Sequence, residues 1–213
     1  MKKKCVHICL LALIPVILTD WFLLARMDRS AAGKKTAGIG MEQLITDEVR
    51  CFPIAVSSDD ALSFDFADSW MAERTYGGER SHEGCDIITS ADVRGIYPVV
   101  SMTDGVVESI GWLSLGGYRI GIRSPGGIYY YYAHMESYAA DLTEGQQVLA
   151  GQFLGFVGDS GYGDEGTVGQ FAVHLHIGIY VPDADGEDTA VNPFPYLEEV
   201  RDTVVHADYA GLY

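Results

Sequence analysis

The sequence is poor in histidine and cysteine, and beyond its first residues it is also poor in basic side chains. It has six His and four Cys among 213 residues, and it shows no low-complexity tract or internal repeat. Seven of the 14 Lys and Arg precede residue 36, whereas 28 of the 30 Asp and Glu follow it. The remaining seven basic and 28 acidic residues give the body a formal charge of −21, so it lacks the basic footprint that phosphate recognition requires. We therefore expect a globular chain that does not bind nucleic acid.

Long apolar runs are absent except at the N-terminus. Three lysines at 2–4 precede an uncharged run over 5–19, Asp20 interrupts this run, and apolar residues then resume. Since about 20 apolar residues span a bilayer, we predict a transmembrane signal anchor at 1–25, followed by a flexible stalk at 26–40. The alternative is a signal peptide that is cleaved, and basic residues on both flanks leave the orientation open.

Strand-like segments separated by Gly-containing turns dominate from Gly95 onward, which indicates one mainly β domain. Two hairpins are predicted, one turning at Asp104-Gly105 and one at the Gly-rich residues 124–127. The expected β segments are 97–102, 106–110, 118–123, 128–135, 147–149, 153–158 and 173–180. A short helix is expected at 41–49, and a Gly-rich loop at 159–169.

The strand at 173–180 carries two histidines. Strand side chains alternate between faces, so His174 and His176 project from one side while Val173 and Leu175 project into a core from the other. A strand whose polar face happens to carry histidines is the alternative, and this pattern alone does not separate the two. The choice depends on whether other ligand-type residues converge on the strand.

A second motif supplies two such residues. His82 and Asp86 are spaced i, i+4, which places both groups on one side of the chain. Cys85 adjoins Asp86, so in extended backbone it should point away from a metal bound there. Cys51 and Cys85 would be able to pair in an oxidising compartment, but two cysteines are weak support and the disulfide stays open.

A third motif is the tyrosine-rich run that ends in His134. Strand alternation predicts that Tyr130, Tyr132 and His134 share a face. Tyr130 and Tyr132 would then form walls of a cleft, whereas Tyr129 and Tyr131 would lie in the core. With this run, the three motifs contain four of the six histidines.

The three motifs, in this order, resemble those of the lysostaphin-type, LytM-like zinc metallopeptidases, which cut peptide bonds in bacterial peptidoglycan. The resemblance spans about residues 76–181 and also includes Tyr97-Pro98-Val99, Asp104-Gly105, Tyr132-Ala133-His134 and Gly155-Phe156-Val157-Gly158. It implies a mainly β fold of the lysostaphin-like type, an antiparallel β-sheet or barrel-sandwich hybrid with the duplicated hybrid motif.

The same resemblance implies roles for five residues. His82, Asp86 and His176 would bind one Zn²⁺ per chain, and His134 and His174 would be catalytic groups beside the metal. This set agrees with catalytic zinc sites in general, where three protein ligands leave a fourth position for water. Either of the two remaining imidazoles is able to accept a proton, stabilise an oxyanion or protonate the leaving amine, and the sequence does not assign these steps.

A division of the chain follows from these assignments. An extension at 41–75, able to hold or cover the site, precedes a metallopeptidase domain at 76–195, and an acidic, solvated tail at 196–213 follows it. The expected activity is that of a zinc metalloendopeptidase acting on peptidoglycan peptides. The domain would lie outside the cytoplasmic membrane, held there by the anchor, or would be secreted if the N-terminal segment is cleaved.

Two alternatives to an active enzyme are compatible with parts of the sequence. One is a catalytically inactive scaffold or activator of cell-wall hydrolases in a division or sporulation complex, although such a role does not require the five residues to be intact. The other is a wall-binding module without metal, which leaves the arrangement of histidines unexplained. Metal content separates the second alternative from the enzyme, and turnover separates the first.

Overall fold

The computed structural model describes residues 40–56 and 62–206. Its elements in chain order are α1 (Met41–Glu48), β1 (Phe64–Phe66), β2 (Glu73–Arg74), β3 (Arg80–Ser81), β4 (Cys85–Thr89), β5 (Pro98–Val100), β6 (Gly105–Leu113), β7 (Gly117–Arg123), β8 (Tyr129–Tyr138), β9 (Gln147–Val148), β10 (Phe153–Val157), β11 (His174–Pro182), β12 (Asp188–Val191) and α2 (Phe194–Glu199). The predicted anchor at 1–25 and nearly all of the predicted stalk lie outside the described residues. Within those residues, neither helix has the length and apolar character needed to cross a membrane.

Ten of the strands form one antiparallel sheet, and β11 lies close to its centre. The strand order is β1-β4-β11-β8-β7-β6-β9, with β12 also paired to β11 and β10 joining β8 to β5. β11 buries Leu175, Ile177 and Ile179, each with at most 1% of its surface exposed, as the alternating pattern predicts. Burying each such side chain stabilises the fold by about 1.5–3 kcal/mol, so the core face of β11 fixes the strand while its other face borders a cleft.

Both helices bury apolar side chains in the core. α1 agrees with the predicted helix and buries Ile45, and the extended segment after it buries Phe52 and Ile54 completely. In α2, Leu197 is also fully buried. Leu197 belongs to the predicted acidic tail at 196–213, so the expectation that this tail is solvated is wrong at this residue, because a helix can bury its apolar residues while its acidic ones face solvent.

One of the two predicted hairpins forms. β7 and β8 pair directly around the turn at 124–127, but β5 pairs with β10 and not with β6, so the Asp104-Gly105 hairpin is wrong. A two-residue hairpin turn of this type requires positive φ at its central residues, and neither Asp104 nor Gly105 has one. Asp104 instead accepts a hydrogen bond from the backbone N–H of Ala150 at 2.8 Å and pairs with Arg50.

A β-bulge in β8 turns His134 toward the cleft. The register between β7 and β8 shifts near this residue, so that β8 carries one extra residue, and His134 adopts φ 61°. The bulge ends the regular alternation of the tyrosine run. Tyr130 and Tyr132 are completely buried in the core, whereas Tyr129 and Tyr131 border the cleft. The predicted placement of these four tyrosines is therefore wrong.

Candidate functional site

Two neighbouring strands, and the segment before one of them, bring three ligand-type side chains together. Asp86 on β4 is the register partner of His176 on β11, and Asp86 Oδ1 lies 2.9 Å from His176 Nδ1. His82 precedes β4, and its Nε2 lies 3.1 Å from the same carboxylate oxygen and 2.9 Å from His176 Nδ1. The three ligand atoms expected from the sequence thus form a nearly equilateral triangle.

This triangle fits a zinc ion. A tetrahedral Zn²⁺ with bonds of about 2.0–2.1 Å holds its ligand atoms roughly 3.3 Å apart, close to the separations observed here. Two imidazole nitrogens and one carboxylate oxygen also form a known catalytic ligand set. Across residues 40–56 and 62–206, His82, Asp86 and His176 form the one group of three such side chains close enough to share a metal.

Backbone carbonyls fix the orientation of three imidazole rings. The Nδ1–H groups donate as follows: His82 to the Ser69 carbonyl at 2.9 Å, His134 to Ser160 at 2.8 Å, and His174 to Ala172 at 2.8 Å. Because a carbonyl oxygen only accepts, Nδ1 carries the proton and Nε2 of the neutral ring keeps its lone pair. Each ring is thereby set to bind a metal or to accept a proton through Nε2.

Arg74 holds the second oxygen of the Asp86 carboxylate. Its Nη2 donates to Asp86 Oδ2 at 2.7 Å, which leaves Oδ1 directed at the histidines. Burial opposes ionisation of Asp86, but the hydrogen bond from His176 and the close approach of His82 outweigh it and hold the pKa of this carboxyl below its usual range. Sequence reasoning missed Arg74, since no local spacing connects it to a residue 12 positions away.

His134 and His174 lie together beside the ligand triangle. Their ring centroids are 4.7 Å apart, and the ring of Phe171 packs against both. His174 Nε2 is 3.8 Å from Asp86 Oδ1. Burial, reinforced by the neighbouring His174 and His176, holds the pKa of His134 well below 6.5. His134 is therefore neutral at physiological pH, with Nε2 as a proton acceptor.

These residues open into a cleft of about 730 Å³. Tyr129, Tyr131 and Tyr180 form an aromatic wall on one side, and the Tyr131 ring meets the His176 ring edge-on at 6.0 Å. A cleft that combines apolar walls with a few convergent polar groups is the usual form of a binding site. The cleft is large enough for several residues of a peptide.

The β2–β3 hairpin meets the Gly-rich loop at the rim of this cleft. Tyr76, in the turn of the hairpin, stacks on Tyr162 with ring centroids 4.1 Å apart, and its hydroxyl donates to the Tyr162 carbonyl. Arg80 donates to the Tyr162 hydroxyl at 3.1 Å. These contacts join segments about 80 residues apart, which explains why sequence patterns gave neither segment a site role.

Gly84 is a further residue that sequence reasoning missed. A Cβ atom at this position would lie 2.3 Å from His176 Cε1 and 2.6 Å from the carbonyl oxygen of Ile177. Neither contact is possible without moving the ligand or its strand. The glycine between His82 and Asp86 therefore makes room for His176, and its position inside the His-x-x-x-Asp motif was the available signal.

Neither described cysteine takes part in the site. Cys51 and Cys85 are both buried free thiols, so the disulfide left open by the sequence is not formed. Cys85 lies in the hydrophobic core and donates weakly to the Ala67 carbonyl at 3.5 Å, as expected for a side chain that points away from Asp86. Burial raises the pKa of the Cys85 thiol to about 12, which suits a structural cysteine.

Comparison with known sequences gives one family and several relatives. Residues 80–193 match the model of Peptidase family M23. L-Ala–D-Glu endopeptidase of Bacillus subtilis is 40% identical over 146 residues, which are 68% of this chain and 42% of that protein. Glycyl-glycine endopeptidase ALE-1 of Staphylococcus capitis is 28% identical over 120 residues, or 55% of this chain and 29% of that protein. The chain thus spans less than half the length of these relatives.

Solved structures of peptidases also resemble this chain. A crystal structure of a Ruminococcus gnavus protein described as glycyl-glycine endopeptidase LytM superposes with a TM-score of 0.72 at 52% identity, covering 78% of this chain and 65% of that one. Lysostaphin of Staphylococcus simulans gives a TM-score of 0.50 at 25% identity, covering 70% of this chain and 55% of that one. The predicted mainly β, lysostaphin-like fold is confirmed.

Proposed function

Because the chain belongs to peptidase family M23, we propose that it is a zinc metalloendopeptidase that hydrolyses peptide bonds in bacterial peptidoglycan. The observation that carries this proposal is the ligand triangle of His82, Asp86 and His176, with two further imidazoles beside it in an open cleft. A structural metal site would be closed and would have no use for those two imidazoles.

Zinc, when bound by these three residues, supplies a Lewis acid and lowers the pKa of water to about 7. His134 supplies the proton acceptor for the attacking water, since burial keeps it neutral and its Nδ1–H is already donated to Ser160. His174 is the more exposed of the pair and stands next to the Asp86 carboxylate. In this proposal His134 returns the proton that it took from the water to the leaving amine, and the ring of His174 borders the position of the oxyanion.

Digestion of purified cell walls tests the proposal. The purified full-length chain, loaded with zinc in detergent, should release peptide fragments from walls of differing cross-links, and mass spectrometry of the new ends identifies the bond. The bond named in the B. subtilis relative, L-Ala–D-Glu, is the first to examine. A chain that binds zinc but releases nothing from any wall would instead be an inactive scaffold or activator, and a chain that binds no zinc would refute the metallopeptidase.

The proposal extends to the location of the domain. The apolar run over 5–25, preceded by three lysines, supports an anchor in the cytoplasmic membrane with the body facing the wall. A tether of this kind raises the local concentration of an acidic domain that gains no electrostatic attraction to an anionic envelope. Protease added to wall-stripped cells should digest the body. Full protection would contradict this topology, and release of an intact body would indicate cleavage of the N-terminal segment.

A further inference from the structure

The cleft contains a positive charge that the protein does not neutralise. From residue 40 onward the cations are seven arginines, with no lysine. Five of them pair with carboxylates, namely Arg50, Arg74, Arg94, Arg123 and Arg201. Of the other two, only Arg80 lines the cleft, and no carboxylate of the described residues lies within 4.0 Å of its guanidinium. In so acidic a protein, a cleft cation without an anionic partner indicates that the partner is a ligand.

Two hydrogen bonds hold the Arg80 guanidinium in place and leave its other N–H donors available. Its Nε donates to the Tyr76 carbonyl at 3.3 Å, and its Nη2 donates to the Tyr162 hydroxyl at 3.1 Å. The Tyr76–Tyr162 stack in turn fixes both acceptors. A guanidinium has five N–H donors, so three remain for a ligand in an orientation that is already set.

The position of Arg80 relates it to the reaction centre. Arg80 begins β3 and lies two residues before His82 in the sequence, and both side chains line the cleft. An extended backbone rises about 3.3 Å per residue, so the two Cα atoms are roughly 7 Å apart. A peptide lying extended in the cleft has the same spacing. Because Arg80 and the ligand triangle line the same cleft, a peptide lying extended in it is able to contact both.

We propose that Arg80 is a specificity-determining residue that binds a substrate carboxylate, so that the site selects peptides with an acidic group near the scissile bond. The inference rests on the proposed peptidase function and narrows its substrate class. A guanidinium matches a carboxylate with two parallel N–H···O bonds. A carboxamide in the same position turns one N–H₂ group toward N–H donors and loses one of those bonds.

A competition between two substrates tests this inference. The wall peptide that the chain cleaves is synthesised with the free carboxylate and with the corresponding carboxamide, and both are mixed with the full-length, zinc-loaded protein. With the two peptides at equal concentration, the ratio of their initial rates of product formation equals the ratio of kcat/KM and does not depend on the fraction of active protein. The wild type should prefer the carboxylate by about 10- to 100-fold, as is typical of a hydrogen bond to a charged group.

Three variants sharpen the measurement. Arg80→Gln should bring the ratio to within about threefold of one, whereas Arg80→Lys, which keeps the charge but not the two parallel donors, should retain an intermediate preference. Arg50→Gln removes the same charge from an exposed pair with Asp104 outside the cleft and should keep the full preference. If Arg80→Gln fails to fold, shown by loss of bound zinc, Arg80→Lys decides the question.

The outcomes separate this inference from the proposed function. A wild type that cleaves both peptides equally, or an Arg80→Gln variant that keeps the wild-type ratio, overturns the role of Arg80 while leaving the peptidase intact. A wild type that cleaves neither peptide and no cell wall overturns the peptidase itself.

Discussion

The central strands and the β2–β3 hairpin border the same cleft but are built in different ways. Asp86 and His176 stand on paired strands whose adjacent residues, Cys85, Ile87 and Leu175, are completely buried. The hairpin has two residues in each strand and forms a separate sheet. Asp86 and His176, two of the proposed metal ligands, are thus positioned by the core, whereas Arg74 and Arg80 are positioned by a thin surface element. We infer that the sheet carries the chemistry and the hairpin carries the selection of substrate.

The largest expected effect follows from removing a ligand on the central strands. Asp86→Ala and His176→Ala should each lose stoichiometric zinc and all measurable wall digestion, because two donors cannot hold the metal tightly. The drop in zinc affinity should exceed the roughly 10–100-fold that is typical of an outer-shell partner. Metal analysis of purified protein measures this. His206→Ala, an exposed histidine away from the cleft, is the control and should retain one zinc per chain.

The two imidazoles beside the triangle should affect rate and not metal content. His134→Ala and His174→Ala are expected to keep zinc and to lose about 10²- to 10⁴-fold in turnover, the usual contribution of general acid–base groups. Parallel measurements of zinc content and kcat distinguish the two effects. Loss of zinc from either variant to the same extent as in His176→Ala would show that the division between ligands and catalytic groups is wrong.

A change beside the strand should damage the metal site by displacing its ligand. Gly84→Ala places a methyl group 2.3 Å from His176 Cε1, so the ring or the strand must move. We expect about 10–100-fold weaker zinc binding and a lower melting temperature of the metal-free protein. The matched control is Gly40→Ala, where the added methyl group meets open space. Wild-type zinc affinity in Gly84→Ala would show that the sheet is less rigid than its burial indicates.

The smallest effect is expected in the hairpin. Tyr76→Ala removes the stack on Tyr162, an interaction worth about 0.5–1.5 kcal/mol, and should raise KM for a wall peptide by about 2- to 10-fold with unchanged zinc content. Tyr76→Phe keeps the stack and should stay closer to the wild type. If Tyr76→Ala lost zinc, the hairpin would be supporting the metal through the Arg74–Asp86 ion pair, and the division between chemistry and selection would fail.

The same contrast explains which features the sequence predicted. The strand of His174 and His176, the i, i+4 pair of His82 and Asp86, and the β7–β8 hairpin depend on local periodicity, and the structure has them where the pattern placed them. Local periodicity alone did not predict that the ligand-type residues come together. That prediction came from the order of the three motifs and its resemblance to a known family. A regular strand repeats every two residues, so burial follows from spacing alone.

Features that depend on long-range contacts were missed or misplaced. Arg74 and Arg80 acquire their roles from Asp86 and Tyr162, which lie on other elements and leave no local pattern. The Asp104-Gly105 hairpin does not form, because Asp104 bonds to Ala150 and Arg50 instead. The tyrosines of β8 were assigned to the wrong faces because a single inserted residue reverses every alternation that precedes it.

The bulge at His134 also sets function against stability. A left-handed backbone is unfavourable for a residue with a Cβ atom and costs on the order of 1 kcal/mol, whereas Gly or Asn adopts it readily. The domain tolerates this cost because only the bulge brings the ring of residue 134 over the cleft. Replacing His134 with Gly or Asn would relieve this strain but would also remove the ring packed on Phe171 and its hydrogen bond to the Ser160 carbonyl, so the loss of these contacts opposes the gain.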